Sequence, residues 1–364
     1  MKILYIYTWP LDFGKYKLTE SPKTEFGFYT MKRLGIDITS YSIDRNNFII
    51  KKLLSINSQL FGAILTQLGC LKYAKHYDCI YVGYDMHLLP LALAKALGIC
   101  KKPIFVLSHF TYNSHYTRNF LKKLYKRIER FFVFKYIDCI SFASERLLLV
   151  ASGGGKIDER QKNVAYWGAS LDFFNKNIYK EKPTNNYFVA AGGMNRDYAT
   201  LVQAFEKCPE LNLKVFAVYK DYTKNIDIPD NVQFINLMEG NSLNKAYKLL
   251  RNYYYNCIAI LLPIDYINDV PNGATVLVEA LAMGKPIIIT DAETNYIDVE
   301  KEKCGIVVNS HDVNGWINAI RYLKSHPHEA NEMGQKSYRL AIEKYNDTNF
   351  VKTIYGQIKQ MINK

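Results

Sequence analysis

The segment PNGATVLVEALAMGKPIIIT, residues 271–290, holds one carboxylate inside an apolar run. Seven of the eight residues from Val276 to Met283 are apolar, and Glu279 is the exception. Pro271-Asn272-Gly273 is a turn signal. A helix is therefore expected to begin near Ala274 and to end at Gly284, where a left-handed residue is favoured. The free N–H groups at such a helix start form an anion site. Gly273 lets a phosphate come close to the backbone, Thr275 adds a hydroxyl in the first turn, and Glu279 follows four residues on along the same face. Burying a carboxylate is costly unless it is hydrogen-bonded. The two adjacent hydroxyls of a ribose would satisfy it. With a diphosphate at the helix end, Glu279 would then face the sugar of a bound nucleotide. A carboxylate that caps a loop amide, or lies half exposed at a domain edge, would look the same in sequence.

The elements that must position this helix alternate regularly. In the N-terminal half, 2–8, 37–43, 79–83, 103–108 and 139–144 read as strands, and 26–35, 48–69, 87–98 and 117–136 as helices. In the C-terminal half, 186–193, 213–219, 232–238, 257–263, 286–290 and 305–309 read as strands, and 197–207, 241–253, 274–283, 311–325 and 328–345 as helices. Alternation of this kind predicts parallel sheets covered by helices. The chain thus reads as α/β, two doubly wound Rossmann-like domains at 1–180 and 181–345 with a closing segment at 346–364. The hinge is placed in the polar stretch NKNIYKEKPTNN, residues 175–186. In open α/β sheets ligands bind beyond the carboxyl ends of the strands, and two such domains in tandem predict a cleft between them.

The 364 residues are enough for two domains of ordinary size, and 49% hydrophobic with 22% charged residues is normal for a globular protein. No apolar run approaches the roughly 20 residues that span a bilayer. MKILYIYTW reads as a first strand and lacks the features of a signal peptide. Seven cysteines stand singly, at 70, 79, 100, 139, 208, 257 and 304, with no CxxC pair. A disulfide framework or zinc site is not expected, and a reducing cytoplasm is. High Lys, Asn, Ile and Tyr content points to an AT-rich bacterial genome. The net charge of +13 lies in one half: residues 1–180 carry +14 and residues 181–364 carry −1. The N-terminal half should face something anionic, whether lipid, nucleic acid or a phosphorylated substrate.

EALAMGKPII (279–288), behind its turn and small-residue helix start, resembles the signature of the family 4 retaining glycosyltransferases, which have the two-domain architecture called GT-B, two Rossmann-like domains facing a central cleft. GGMNRDYATLVQAF (192–205) resembles that family's phosphate-binding segment, VAYWGASLDFF (164–174) its inter-domain link, and CGIVVNSHDVNGWINAI (304–320) the segment closing its second domain. YDCIYVGYDMHLLPLALAKALG (77–98) and PIFVLSHF (103–110) resemble the middle strands of its first domain, and NFVKTIYGQIKQMI (349–362) its crossover helix. The resemblance implies an acceptor-binding N-terminal domain, a nucleotide-sugar-binding C-terminal domain, and Glu279 on the donor ribose. Three positions depart from the pattern. Pro271 stands where a second Glu usually helps to hold the donor sugar, with Asp269 nearby as a substitute. Gly192-Gly193 replaces the usual Gly-Arg, and Ser170 replaces a common Asp.

Sugar transfer from such a donor leaves a diphosphate of growing negative charge, which must be stabilised where it develops. A metal held by an Asp-x-Asp pair is one route, but the chain has no such pair. The other is a helix dipole with a cation. The helix start at Asn272, Gly273, Ala274 and Thr275, with Arg196 as the best remaining cation, fits that second route, so no metal and no separate cofactor is expected. Arg196 would read alternatively as a surface salt bridge. His109 follows the strand PIFVLS at its carboxyl end, where a family histidine contacts the donor sugar, although a lone histidine there is commonly structural. His109 and Arg196 are thus the candidate catalytic residues, with His87 as a weaker rival to His109. Gly14, after the first strand, would let a loop approach the phosphates, or would only make a turn. The family shows no obligatory protein nucleophile, and the leaving diphosphate is thought to assist. SGGGK (152–156) lacks P-loop spacing and reads as a flexible loop.

TRNFLKKLYKRIERFFVFKY (117–136) places Phe120, Leu121, Leu124, Tyr125, Ile128, Phe131 and Phe132 at helical spacing, with Arg118, Lys122, Lys123, Lys126, Arg127 and Arg130 between them. Packing on the sheet would explain the apolar stripe but not six cations against one Glu. A basic amphipathic helix reads as a membrane-surface element, to which Lys51 and Lys52 would add. The expected partners are a nucleotide-sugar donor, a glycan or lipid-linked acceptor and an anionic membrane, with the protein peripheral on the inner face of the cell membrane, in cell-surface polysaccharide synthesis. Nucleic-acid binding would want aromatic platforms among the cations, whereas these aromatics lie on the apolar side of a helix. A nucleotide-sugar epimerase of the same architecture and a non-catalytic relative are the other readings.

Overall fold

The computed structural model describes residues 1–7, 25–44, 46–114, 119–155, 157–193, 195–217, 226–265, 272–293 and 295–363. Packing divides them into two units, one of the described residues up to Trp167 together with Asp347 onward, the other of Gly168–Asn346.

The first unit runs β1 (Ile3–Tyr7), α1 (Phe28–Arg33), β2 (Ile38–Tyr41), α2 (Phe48–Ile56), α3 (Ser58–Ala74), β3 (Cys79–Tyr84), α4 (Leu89–Ala96), β4 (Ile104–Ser108), α5 (Phe120–Tyr136), β5 (Cys139–Phe142), α6 (Glu145–Gly153) and β6 (Asn163–Val164). Its strands form one parallel sheet in the order β2-β1-β3-β4-β5-β6. The central strands are apolar on both faces because helices cover both. Ile3, Tyr5, Tyr81, Phe105 and Leu107 are buried in one core with Phe28 and Met31 of α1. The chain returns to this unit at its end: α12 (Asp347–Ile362) buries Phe350, Val351, Ile354 and Ile358 in that same core. Asp347 is held there by Thr30 Oγ1 at 3.0 Å and Arg33 Nη2 at 3.1 Å.

The second unit runs β7 (Phe188–Ala191), α7 (Tyr198–Glu206), β8 (Leu213–Phe216), β9 (Val232–Phe234), α8 (Leu243–Asn256), β10 (Ile260–Leu262), α9 (Ala274–Ala282), β11 (Ile287–Thr290), β12 (Gly305–Val308), α10 (Val313–Ser325) and α11 (Pro327–Glu343). Its parallel sheet has the order β12-β11-β10-β7-β8-β9. The strand order reverses between β7 and β10, which is where open α/β sheets bind ligands.

Three sequence expectations are corrected. The single helix over 48–69 is two helices: Asn57 is extended at φ −154°, and its side chain accepts from Leu60 N to start α3 afresh. The loop assigned to SGGGK begins inside α6, which takes in Ser152 and Gly153. The passage between units comes at Gly168, before position 180, because residues 168–180 are clamped to the second unit. Ala169 N donates to Tyr345 O, Arg251 donates to Phe173 O at 2.8 Å and lies 4.7 Å over its ring, and Tyr179 stacks on Tyr255 at 3.9 Å.

Candidate functional site

The loop leaving β7 is fixed at both ends. Gly192 N donates to Phe216 O at the end of β8, and the buried Tyr198 hydroxyl donates to Gly192 O at 2.7 Å. On the other side Arg196 forms an antiparallel bridge with Ile264, just past β10, flanked by Asp197 N to Pro263 O and Asp265 N to Asn195 O. The loops after β7 and β10 are thereby joined at the reversal of strand order. Asp197 caps α7 through Thr200 N at 3.0 Å, and its other oxygen meets His311 Nδ1 at 2.8 Å.

This anchoring presses Arg196 into the unit until only 7% of it is exposed. Its Nε donates to Ala191 O at 3.3 Å. Two glycines with positive φ make the room. A Cβ on Gly192 (φ +121°) would fall 2.5 Å from Arg196 Nη2, and one on Gly273 (φ +77°) would fall 3.4 Å from the same atom. Gly273 is also the residue from which α9 starts, and among the described residues no side chain caps that start. A guanidinium therefore lies beside uncapped helix N–H groups, and both favour an anion. Asn272 accepts from Asn195 Nδ2 at 3.0 Å, which ties the two loops together. Ala274 is buried and Thr275 is exposed.

Glu279, further along α9, is 5% exposed. It accepts from the Tyr254 hydroxyl of α8 at 3.1 Å. Burial pushes its carboxyl up to about 8, and the Tyr254 hydrogen bond offsets part of the rise. The half-exposed alternative is thus excluded, and this buried contact is to a tyrosine hydroxyl rather than to a loop amide. Arg196, Asn272, Gly273, Ala274, Thr275 and Glu279 all belong to the second unit, on the loops after β7 and β10 and on α9.

His109 belongs to the first unit, directly after β4. Its Nε2 lies 3.2 Å from Gly83 O. A carbonyl only accepts, so Nε2 carries the proton and Nδ1 is left as an acceptor. Burial pushes this imidazole down to about 4, partly offset by Gly83, so it is neutral at physiological pH. Phe26 and Tyr84 wall the ring at centroid distances of 4.4 and 5.2 Å. Its backbone is set by Asp85, whose Oδ1 accepts from His109 N at 3.0 Å while Oδ2 accepts from Ser108 Oγ at 2.8 Å and from the Tyr112 hydroxyl. Burial raises Asp85 to about 6 against these hydrogen bonds. His87, at φ +52°, lies 3.5 Å from the Tyr125 hydroxyl and is pushed down by burial and by Lys126. Gly14, Pro271 and Asp269 lie outside the described residues.

Sequence reasoning missed Asn195, Tyr254 and Asp85. Asp85 had a signal, a carboxylate just past an apolar strand. Tyr254 sits in a run of three tyrosines, and spacing alone does not say which one turns inward. Among the described residues no three His, Cys, Asp or Glu side chains come together to hold a metal ion.

Residues 172–340 match the family model of the glycosyl transferases group 1. No curated protein matches the sequence significantly. Solved structures do match its fold. Alr3699/HepE of Anabaena in complex with UDP is 15% identical, with a TM-score of 0.69 over 99% of this chain and 100% of that one. A glycosyltransferase of Rickettsia africae is 16% identical, with a TM-score of 0.69 over 100% of this chain and 99% of that one. Sucrose-phosphate synthase of Thermosynechococcus elongatus is 14% identical, with a TM-score of 0.68 over the whole of both chains. The region that matches the glycosyl transferases group 1 model contains Arg196 and the start of α9 as far as Glu279, and the chain as a whole has the GT-B fold.

Proposed function

We propose that the protein is a retaining glycosyltransferase of family 4 that works without a metal, moving a sugar from a nucleoside diphosphate to a glycan or lipid-linked acceptor in cell-surface polysaccharide synthesis. The observation that carries the reading is Arg196, held by Gly192 and Gly273 beside the uncapped start of α9, with the buried Glu279 on the same helix. In the reaction the bond between the sugar's anomeric carbon and the diphosphate oxygen breaks, and a bond to an acceptor hydroxyl oxygen forms. The acceptor proton passes to the departing diphosphate. Charge grows on that diphosphate, and Arg196 with the helix N–H groups stabilises it without rearrangement. Glu279 accepts the two ribose hydroxyls.

Calorimetric titration with UDP, GDP, ADP, dTDP and CDP in the absence of metal tests the reading, using the wild type, Glu279→Ala and Glu279→Gln. UDP is the first choice because HepE was solved with it. One nucleotide should bind, and both variants should weaken it by about 1–3 kcal/mol. Absence of binding by every nucleotide, or unchanged binding in a folded Glu279→Gln, refutes the reading. Conversion of a donor sugar to its epimer without transfer would make the protein an epimerase instead.

A further inference from the structure

The helix α5 is amphipathic in the inverse sense. Phe120, Leu124, Ile128 and Phe131 recur at the three- and four-residue spacing of one helix face, with Leu121 beside them. The sequence alone places this stripe against the sheet, but all five residues are exposed, Phe120 by 75%. The face turned to the protein carries Glu129, buried with Val133 and Phe134. It also carries Arg130, which donates to Thr111 O, Asn113 Oδ1, Ala151 O and Gly155 O at 2.9–3.1 Å. A helix on a globular domain normally turns its apolar stripe inward. Rolling α5 to do so would take these polar groups from their partners.

α2 repeats the pattern. FIIKKLLSI has no buried residue, and Phe48, Ile49 and Ile56 are exposed beside Lys51 and Lys52, Phe48 by 79%. α2 packs on α3, α3 on α4 and α4 on α5, so both stripes belong to one helical layer.

Apolar patches of this kind are covered by a partner, and the charge around them says which kind. Lys122, Lys123, Arg127 and Lys135 of α5 lie beside the stripe, and the one acid of the helix, Glu129, is buried. A second copy would bring like charges together. An anionic bilayer satisfies both features, since apolar side chains enter the headgroup boundary while lysines and arginines meet lipid phosphates. We propose that α5, assisted by α2, seats the N-terminal unit on an anionic bilayer by inserting Phe120, Leu121, Leu124, Ile128 and Phe131. Because the apolar stripe inserts, attachment persists in salt that screens surface charge. The proposal goes beyond the donor-site reading and does not depend on it.

The test is co-sedimentation of the full chain with phosphatidylglycerol–phosphatidylcholine vesicles and with pure phosphatidylcholine vesicles, at low and high salt. The wild type should sediment with the anionic vesicles and remain bound at high salt. The triple variant Leu124→Ser, Ile128→Ser, Phe131→Ser should lose at least tenfold in partitioning, while its nucleotide titration stays unchanged. The Phe131→Trp variant should show a blue-shifted emission on adding anionic vesicles, quenched by brominated lipid. A wild type left in the supernatant, a triple variant that sediments like the wild type, or an unshifted emission from Phe131→Trp overturns the proposal. So does a wild type that is dimeric by light scattering when the triple variant is monomeric, which would make this face an interface between copies. Nucleotide binding retained alongside any of these failures leaves the donor site standing, and its loss with vesicle binding intact does the reverse.

Discussion

Glu279 makes a quantitative prediction about nucleotide binding. Its carboxyl is raised by burial to about 8 in the free protein, so at pH 7 about one molecule in ten carries the carboxylate. Accepting both ribose hydroxyls requires the carboxylate, so binding at pH 7 must first ionise Glu279, at a cost of about 1.4 kcal/mol. At pH 9 the group is already ionised and that cost disappears. The dissociation constant of the preferred nucleoside diphosphate should therefore fall about tenfold between pH 7 and pH 9. Nearly one proton should be released per nucleotide bound at pH 7. The terminal phosphate, with a pKa of about 6, has finished titrating before this window and does not contribute to it. Calorimetry in two buffers of different ionisation enthalpy measures both quantities. Glu279→Gln keeps the shape but cannot ionise, so its profile should be flat. The same group acts on stability with a definite sign. Over pH 4.5 to 8 the folded state keeps a proton that the unfolded chain has lost, so the contribution of Glu279 to stability falls as pH rises, by an amount on the order of 4 kcal/mol. Glu279→Gln should be free of this fall. A wild-type affinity that is flat from pH 7 to 9, or a glutamine variant with the same slope, refutes the ribose assignment.

Three further outcomes follow from the geometry. Gly192→Ala forces a side chain into a left-handed backbone and onto the Arg196 guanidinium; like Arg196→Ala, it should weaken a nucleoside diphosphate at least tenfold and leave the bare nucleoside unaffected, as read by titration. His109 is buried neutral near a pKa of 4, so its contribution to stability is complete above about pH 6.5 and is lost as pH falls toward 4, by roughly 3 kcal/mol; relative to the wild type, the stability of His109→Gln should rise less, or fall more, by about that amount between pH 4.5 and pH 6.5 in urea melts. Gly168→Ala would drive a Cβ into the backbone of Tyr345 and Asn346; overpacking there should cost about 2–4 kcal/mol in denaturant melts.

Much of the candidate site was legible because it depends on local rules. The turn before Ala274 and the lone Glu in an apolar helix are patterns of residue type and spacing. The structure bears them out as an uncapped helix start and a buried carboxylate. Contacts between distant segments carried no such pattern. Nothing in the sequence pairs Tyr254 with Glu279, or shows that Gly192 and Gly273 shape one groove around Arg196, because these meetings follow from strand order. Asn57 was missed for a related reason: helical periodicity runs through it unchanged, and the break comes from its backbone turning extended.

By itself the sequence determined the two parallel α/β sheets, since strands buried on both faces must be continuous apolar runs and the helices between them must alternate with them. It also determined which residues share a face of α5, since that is set by the helical repeat. Only the tertiary structure decided which face of α5 looks outward. Periodicity groups side chains without orienting them, and orientation depends on whether the inner polar groups find partners. Here Glu129 is buried with the Leu88 backbone as a partner, and the carbonyls of Thr111, Ala151 and Gly155 receive Arg130. The polar face stays in because these partners wait for it, and the phenylalanines and leucines are left outside.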